Sequence, residues 1–310
     1  MFVSECTLNL TNKQLCAVPE DIALQCDLEA LWLDSNHLTA LSPQIATLTN
    51  LKRFSAYNNQ LDELPAEFFR LQNLTDLNLS ANKFSNFDEG LGNLTNLHVL
   101  DIQHNDLTSV PASIGNLKKL KFLYLGDNQL SALPKTFHAL QNIVYLNIAQ
   151  NKFAELPECV GAFDNLVELK IQNNSFSSLP DFFGNLVRLK ECYAMDNKIT
   201  GLPETIGRLK CLRKLFLENN ELTTLPNSVG ELRLLTDLDL RSNSLTSLPD
   251  SIANLQSLRY FDLRCNKLTS LPQGIQNLPN LEKLDLRLNH NLKVPDWIDV
   301  LKQRGCVVYY

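Results

Sequence analysis

The sequence of 310 residues has no long apolar run and no N-terminal basic segment followed by an apolar stretch. A membrane-spanning helix needs about 20 consecutive apolar residues, and a secretory signal needs the second pattern, so the sequence predicts neither. Positive charge is also scarce, with 28 Lys and Arg against 34 Asp and Glu, a net charge of −6. This balance argues against a general nucleic-acid binder, whose affinity rests on a basic surface.

Known catalytic and metal-binding motifs are missing as well. The chain contains no G-x-S-x-G, P-loop, H-E-x-x-H or G-x-G-x-x-G. The eight cysteines are irregularly spaced and include no C-x-x-C pair. We therefore predict reduced thiols, with one disulfide in the N-terminal segment left open, and we predict no metal, no cofactor and no catalytic residue.

The sequence instead contains a 23-residue repeat. From Leu28 the register holds without insertion or deletion to Gln303, which makes twelve repeats, and a degenerate one precedes them from about Glu5. The first position is Leu or Ile in all twelve, and the ninth is always Asn: Asn36, Asn59, Asn82, Asn105, Asn128, Asn151, Asn174, Asn197, Asn220, Asn243, Asn266 and Asn289. Recurrence at this period is the signature of a repeat architecture.

Each repeat predicts one short strand and one irregular return. The L-x-x-L-x-L segment forms a strand whose leucines point inward, and the Asn amide bonds the turn after it. Proline at the fifteenth position favours an irregular or 3₁₀ return over a long helix. Near the end, Pro295 is expected to open a short helix with Trp297, Ile298 and Leu301 toward the core, followed by a last strand. We predict one domain, 1–310, with an N-terminal cap at 1–27, repeats at 28–303 and a C-terminal cap at 295–310.

The repeats LPETIGRL from Leu202, LPDSIANL from Leu248 and VPASIGNL from Val110 resemble the intracellular leucine-rich-repeat class. That class includes Ras-binding and polarity scaffolds, related plant proteins, and effectors that pathogenic bacteria deliver into host cells. The resemblance implies an α/β-type leucine-rich-repeat solenoid with a curved parallel sheet on its concave face. It also implies that the concave face binds another protein.

Outward residues of the strands are the candidates for that binding, because the repeat leaves them free. Aromatic residues and Met cluster in the middle repeats, and such residues are enriched at interface hot spots; the alternative is that they only cover an open sheet. Trp32 and Tyr57 either extend this site or shield the first strands. The central candidates are Phe122, Tyr124, Tyr145, Tyr193, Met195 and Phe216.

The last repeats, LDLRSN, FDLRCN and LDLRLN, add two charged columns. Their charges either neutralise one another in solvent or form a docking surface for an oppositely charged partner. The columns are Asp239, Asp262 and Asp285 beside Arg241, Arg264 and Arg287. His104 is expected to face Asp127 on the next strand, as a surface hydrogen bond or a weak metal or pH-sensing pair.

Together these observations predict a non-catalytic, monomeric, cytoplasmic module that binds a partner protein without entering membranes. A bacterial effector acting on a host protein is one setting. An endogenous signalling scaffold, or the recognition arm of a larger enzyme, is the alternative.

Overall fold

A computed structural model describes residues 6–310, so the first five residues of the predicted N-terminal cap lie outside the described residues. The chain divides into two compact units, one ending at Asn151 and the other spanning Lys152–Tyr310. Each unit repeats one element pair, a three-residue strand followed by a five-residue 3₁₀ helix. The single-domain organisation stays a prediction.

The first unit contains seven strands that pair in parallel, each with its neighbours in chain order. They are β1 (Thr7–Asn9), β2 (Ala30–Trp32), β3 (Arg53–Ser55), β4 (Asp76–Asn78), β5 (Val99–Asp101), β6 (Phe122–Tyr124) and β7 (Tyr145–Asn147). Its 3₁₀ helices are Glu20–Leu24, Pro43–Thr47, Ala66–Arg70, Glu89–Asn93, Ala112–Asn116 and Lys135–Ala139.

The second unit has the same organisation and ends in the only α-helix of the described chain. Its parallel strands are β8 (Glu168–Lys170), β9 (Glu191–Tyr193), β10 (Lys214–Phe216), β11 (Asp237–Asp239), β12 (Tyr260–Asp262), β13 (Lys283–Asp285) and β14 (Val307–Tyr309). The 3₁₀ helices are Glu158–Ala162, Asp181–Asn185, Glu204–Arg208, Asn227–Glu231, Asp250–Asn254 and Gln273–Asn277, and α1 is Ile298–Gln303. The predicted fold class is confirmed: parallel strands, 3₁₀ returns and one short C-terminal helix.

The core of each unit is made by the repeat's inward positions. The middle residue of nearly every strand and the third residue of every 3₁₀ helix are buried, as Leu215 and Ile206 illustrate. Each fully buried Leu contributes about 1.5–3 kcal/mol to folding. No strand buries its apolar face alone, so neighbouring repeats share one core.

The Asn residues form the predicted ladder. The Asn59 amide Nδ2 donates to the carbonyls of Leu33 at 3.0 Å and Ala56 at 3.1 Å, and its Oδ1 accepts from the Leu38 N–H at 3.0 Å. One side chain thereby bonds the backbone of two successive repeats. The residue before each ladder Asn has a positive φ, between 52° at Asp127 and 62° at Leu288.

Where the sequence departs from the repeat pattern, the structure changes only near the altered residues. In the repeat that begins at Leu74, which has no proline at its fifteenth position, Asp88 caps the 3₁₀ helix by accepting a hydrogen bond from the Gly90 N–H at 2.7 Å. The predicted helix near the C-terminus begins at Ile298 and not at Pro295, because residues 296–297 form a turn. Ile298 and Leu301 are buried as predicted, whereas Trp297 is only half-buried.

All eight cysteines are free thiols. No helix within residues 6–310 is both long enough and apolar enough to span a bilayer.

Candidate partner-binding surface

The third, fifth and seventh residues of a repeat point to the same side of the sheet, because alternate strand residues point to opposite faces, and most of their side chains reach solvent. We call this side of each unit its outward face. Strand pairing keeps strict register, as in Phe216, Asp239 and Asp262 on β10, β11 and β12. Residues at the same repeat position therefore form a column across the strands.

The outward face of the first unit carries three of the predicted aromatic residues on β6 and β7. Phe122 is 37% exposed, and the Tyr124 and Tyr145 rings lie 4.7 Å apart between centroids at an angle of 37°. Aromatic pairs of this kind contribute about 0.5–1.5 kcal/mol beyond their buried area. The structure thus brings these three predicted residues together.

Trp32 lies on the same outward face. It and Tyr124 both line a hollow of about 300 Å³. Asp101 lies between them on β5 and accepts a hydrogen bond from the Gln103 N–H at 3.2 Å. Burial raises the pKa of Asp101 to about 6, against the lowering effects of the Gln103 N–H and of His104. Tyr57 is 41% exposed just beyond β3 and does not line this hollow.

The second unit carries the other predicted aromatic residues on β9 and β10. The Tyr193 and Phe216 rings stack with centroids 5.2 Å apart and an angle of 25°. The Lys170 ammonium lies 5.3 Å from the Tyr193 ring centre, a cation–π distance. Met195 follows β9 and is half-buried.

Two Asp–Arg pairs in the charged columns form bidentate ion pairs within the protein. Arg264 Nε lies 2.9 Å from both carboxylate oxygens of Asp262, and Arg287 binds Asp285 through Nε at 2.9 Å and Nη2 at 2.7 Å. Such bidentate pairs are strong and geometrically specific. These two pairs fit the interpretation that Asp and Arg of the columns neutralise one another's charge.

The expectation that all three carboxylates face solvent is wrong for Asp285. This residue is completely buried, because β14 places Tyr309 directly beside it and Arg287 lies over the Tyr309 ring at 4.8 Å. Burial alone would raise the pKa of Asp285, but the hydrogen bonds from Arg287 and the charge of Arg264 outweigh it and lower that pKa. Asp285 therefore stabilises the C-terminal repeats and is not accessible to a partner.

The remaining arginine of the columns, Arg241, forms no bidentate pair with the aspartate of its own repeat. Arg241 contacts Glu218 of the preceding repeat, and its Nη2 lies 3.7 Å from the Asp239 carboxylate. Asp239 accepts a hydrogen bond from the Arg241 backbone N–H at 2.9 Å. Burial raises the pKa of Asp239 to about 6, and the charge of Asp262 adds to this effect.

A hollow of about 240 Å³ lies above Asp239, with Phe216 and Tyr260 among its lining residues. Tyr260 is 41% exposed. The sequence places Tyr260 at an outward third position, but the site prediction does not include it. The signal that could have found it is its place in the column beside Asp237 on β11.

Two further residue pairs lack the neighbours that catalysis or metal binding would need. His104 Nδ1 lies 2.6 Å from Asp127 Oδ2, as predicted, and both side chains are about half exposed. Cys265 has a positive φ beside Arg264 and lies in a repeat without histidine. Within the described chain no group of three or more His, Cys, Asp or Glu side chains is placed to hold a metal ion.

Comparison with known proteins identifies the family. Models described as leucine rich repeat match residues 26–84, 233–290 and 96–117, and a leucine-rich repeat region matches 108–197. A solved leucine-rich-repeat protein of Leptospira interrogans is 30% identical over 98% of this chain and 95% of its own, with a TM-score of 0.68. The chain belongs to the leucine-rich-repeat family. Proteins of this family are generally protein–protein interaction modules.

Two longer proteins are similar to this leucine-rich-repeat chain. YopM from Yersinia enterocolitica is 28% identical with a TM-score of 0.66, covering 91% of this chain and 60% of YopM. The plant peptide hormone receptor RGFR1, solved in complex with RGF2, is 29% identical with a TM-score of 0.77, covering 87% of this chain and 45% of the receptor. The leucine-rich-repeat chain thus spans less than two thirds of either protein. Comparison with curated proteins gives no significant match.

Proposed function

We propose that this leucine-rich-repeat protein is a non-catalytic module that binds a partner protein on its outward face. The observation that carries the proposal is the pair of aromatic contacts on that face, Tyr124 with Tyr145 and Tyr193 with Phe216. The repeat needs no aromatic side chain at these positions, since Asn, Asp and Lys occupy them in other repeats.

The physical basis of binding is a preformed surface. Aromatic residues supply large contact areas with few rotatable bonds, and the Asn ladder holds the strands that carry them. A rigid surface loses little conformational entropy on association. The plant receptor solved in complex with RGF2 supports ligand binding by a related fold.

The biological setting that we propose is a bacterial effector acting on a host protein inside the host cell. The repeats resemble those of bacterial effectors, and two of the similar structures come from Leptospira and Yersinia. An endogenous cytoplasmic signalling scaffold uses the same surface and is the second candidate. Its support is the equal resemblance of the L-P-x-x-I repeats to animal and plant scaffolds.

The test is affinity capture from eukaryotic and bacterial lysates with three paired variants. Tyr124→Ser with Tyr145→Ser removes the aromatic contact of the first unit, and Tyr193→Ser with Phe216→Ser removes that of the second. The control, Val187→Ser with Leu234→Ser, removes apolar residues that are more exposed than the four aromatic ones, at 49% and 43%, and that follow 3₁₀ helices. Circular dichroism establishes that every variant is folded.

We expect the control to retain the captured protein and at least one aromatic variant to lose it by about tenfold or more, as hot-spot truncations do. Capture from bacterial but not eukaryotic lysate contradicts the effector setting. Equal capture by wild type and both aromatic variants contradicts binding through these residues.

A further inference from the structure

Asp239 differs from the other two carboxylates of its column. Asp262 and Asp285 each have a bidentate guanidinium from the arginine two residues later. The corresponding arginine of Asp239 is Arg241, which contacts Glu218 and reaches the Asp239 carboxylate through Nη2 alone, at 3.7 Å. In the described chain Asp239 is therefore the one carboxylate of these three without a bidentate guanidinium.

The column at the seventh repeat position explains this difference. It reads Glu218, Arg241, Arg264 and Arg287 on successive repeats. Arg241 has an acidic neighbour on one side, whereas Arg264 and Arg287 have Arg on that side. Arg264 and Arg287 therefore turn to the aspartates of their own repeats, and Arg241 turns to Glu218.

Aromatic side chains lie on both sides of Asp239, Phe216 on one side and Tyr260 on the other. Tyr193, Phe216 and Asp239 occupy one column in register, so Tyr193 stacks on the β9 side of the Phe216 ring. The opposite side of that ring borders Asp239, whose short side chain cannot cover it. Tyr260 lines the far side of the hollow, and Arg259 already lies 5.2 Å from its ring centre.

The charges around the hollow favour a cation. The carboxylates of Asp237 and Asp239 line it against the single ammonium of Lys283, while the third carboxylate of the lining, Asp262, is already neutralised by Arg264. Lys283 also lies 5.7 Å from the Tyr309 ring centre. A guanidinium is planar, stacks on aromatic faces and binds carboxylate in a fork, and that shape matches a carboxylate beside a ring.

We propose that the hollow above Asp239 receives an arginine side chain of the partner protein, stacked on Phe216 and paired with the Asp239 carboxylate. The inference rests on the proposed function and specifies the chemistry of the partner. Glu218 keeps the hollow open because it draws the Arg241 guanidinium out of a bidentate pair with Asp239, which Arg241 Nη2 approaches only to 3.7 Å. The raised pKa of Asp239 agrees with a desolvated carboxylate that lies beside Asp262 and lacks a bidentate guanidinium.

The first experiment uses small probes and needs no natural partner. Nα-acetyl-arginine amide, the corresponding citrulline amide and the corresponding lysine amide are titrated into the full chain. Backbone amide shifts of β10, β11 and β12 are followed by NMR. Citrulline has nearly the shape of arginine but no charge, so we expect arginine to bind about tenfold tighter, the effect of a hydrogen bond to a charged group. Equal affinity for arginine and citrulline overturns the proposal, and tighter binding of lysine than of arginine overturns its choice of guanidinium.

Three variants test the site. Asp239→Asn keeps an oxygen for the Arg241 N–H and should weaken arginine binding about tenfold. Glu218→Gln alters no residue that lines the hollow, yet it should weaken binding because Arg241 then turns to Asp239. Asp250→Asn removes one exposed carboxylate from the 3₁₀ helix of the same repeat and should change nothing. Unchanged affinity in Asp239→Asn overturns the site, and unchanged affinity in Glu218→Gln overturns the role of Glu218.

Lysate capture separates this inference from the proposed function. Loss of the captured protein in Asp239→Asn but not in Asp250→Asn supports a partner arginine. Retention in Asp239→Asn, with loss in Tyr193→Ser and Phe216→Ser, overturns the arginine contact and leaves binding through the outward face intact. Retention in every aromatic variant instead contradicts the proposed function.

Discussion

At the scale of single residues, the position before each Asn shows how the repeat imposes its backbone. This position has a left-handed φ whether it is occupied by Ser35, Ala81, Cys265 or Leu288. A residue with a Cβ loses about 1–2 kcal/mol in that region, and Asn loses less than most. Leu288 has the least suitable side chain of the four, and its side chain is 58% exposed, so little packing offsets the strain.

We predict that Leu288→Asn raises the free energy of unfolding by about 0.5–1 kcal/mol, since Asn tolerates the left-handed region. Urea unfolding followed by circular dichroism measures the change. Leu288→Ala is the control: it removes the same exposed side chain but keeps an ordinary Cβ. An equal gain in the two variants would show that exposure, and not φ, limits stability here.

The raised pKa of Asp101 should make the stability of the protein depend on pH. Its pKa is about 6 in the folded protein against an ordinary 3.8, so between these values the folded state binds more protons than the unfolded state. The free energy of unfolding therefore falls through this group as pH rises from about 4 to 7. Asp101→Asn should be more stable than wild type at neutral pH, and this advantage should disappear toward pH 4.

Urea unfolding of both proteins across that range measures the difference. Asp106→Asn, an exposed carboxylate of the same repeat, controls for the loss of one negative charge. A stability difference that does not vary with pH would show that the Asp101 carboxyl does not titrate in this range.

At the scale of elements, glycine sets the distance between successive 3₁₀ helices. A Cβ on Gly230 would lie 2.3 Å from the Ser251 carbonyl oxygen of the next 3₁₀ helix. The clash is with backbone, so the two helices have to separate, and overpacking of this kind costs about 1–3 kcal/mol.

We predict that Gly230→Ala lowers the free energy of unfolding by about that amount. Gly201→Ala is the matched control, because a Cβ there meets no atom within 4 Å. Differential scanning calorimetry compares both variants with wild type. A melting temperature that falls equally in both would argue against the contact with Ser251.

At the scale of the whole molecule, stability is distributed through contacts between adjacent repeats. Neighbouring ladder residues share an acceptor: Asn59 and Asn82 both donate to the Ala56 carbonyl, at 3.1 and 2.9 Å. Asn128 donates to Ile102 and Leu125 and shares no acceptor with Asn59. The ladder therefore couples adjacent repeats directly and distant ones not at all.

Each single Asn→Ala substitution should cost about 1–3 kcal/mol by leaving buried backbone groups unpaired. The double variant of Asn59 and Asn82 should lose more than the sum, because the Ala56 carbonyl then has neither donor, whereas Asn59 with Asn128 should be additive. Chemical denaturation of the three single and two double variants gives both coupling energies. Coupling that is equal in the two pairs would contradict the shared acceptor.

The repeat made the strands, the Asn ladder and the 3₁₀ returns predictable, because each depends on residue types that recur every 23 positions. Which side chains pair on the outward face was harder to predict. Asp239 and Asp262 both precede an arginine by two residues, yet their surroundings differ because Glu218 captures only Arg241. The burial of Asp285 depends on a final strand that follows no repeat pattern.

The ladder also bears on how binding specificity evolves in this protein. Its hydrogen bonds run from Asn side chains to backbone groups, and the left-handed position accepts eight different residue types. Outward residues such as Phe216 and Tyr260 contribute nothing to those bonds. If partners bind this face as proposed, single substitutions there change the binding surface while the Asn ladder that supports it stays unchanged.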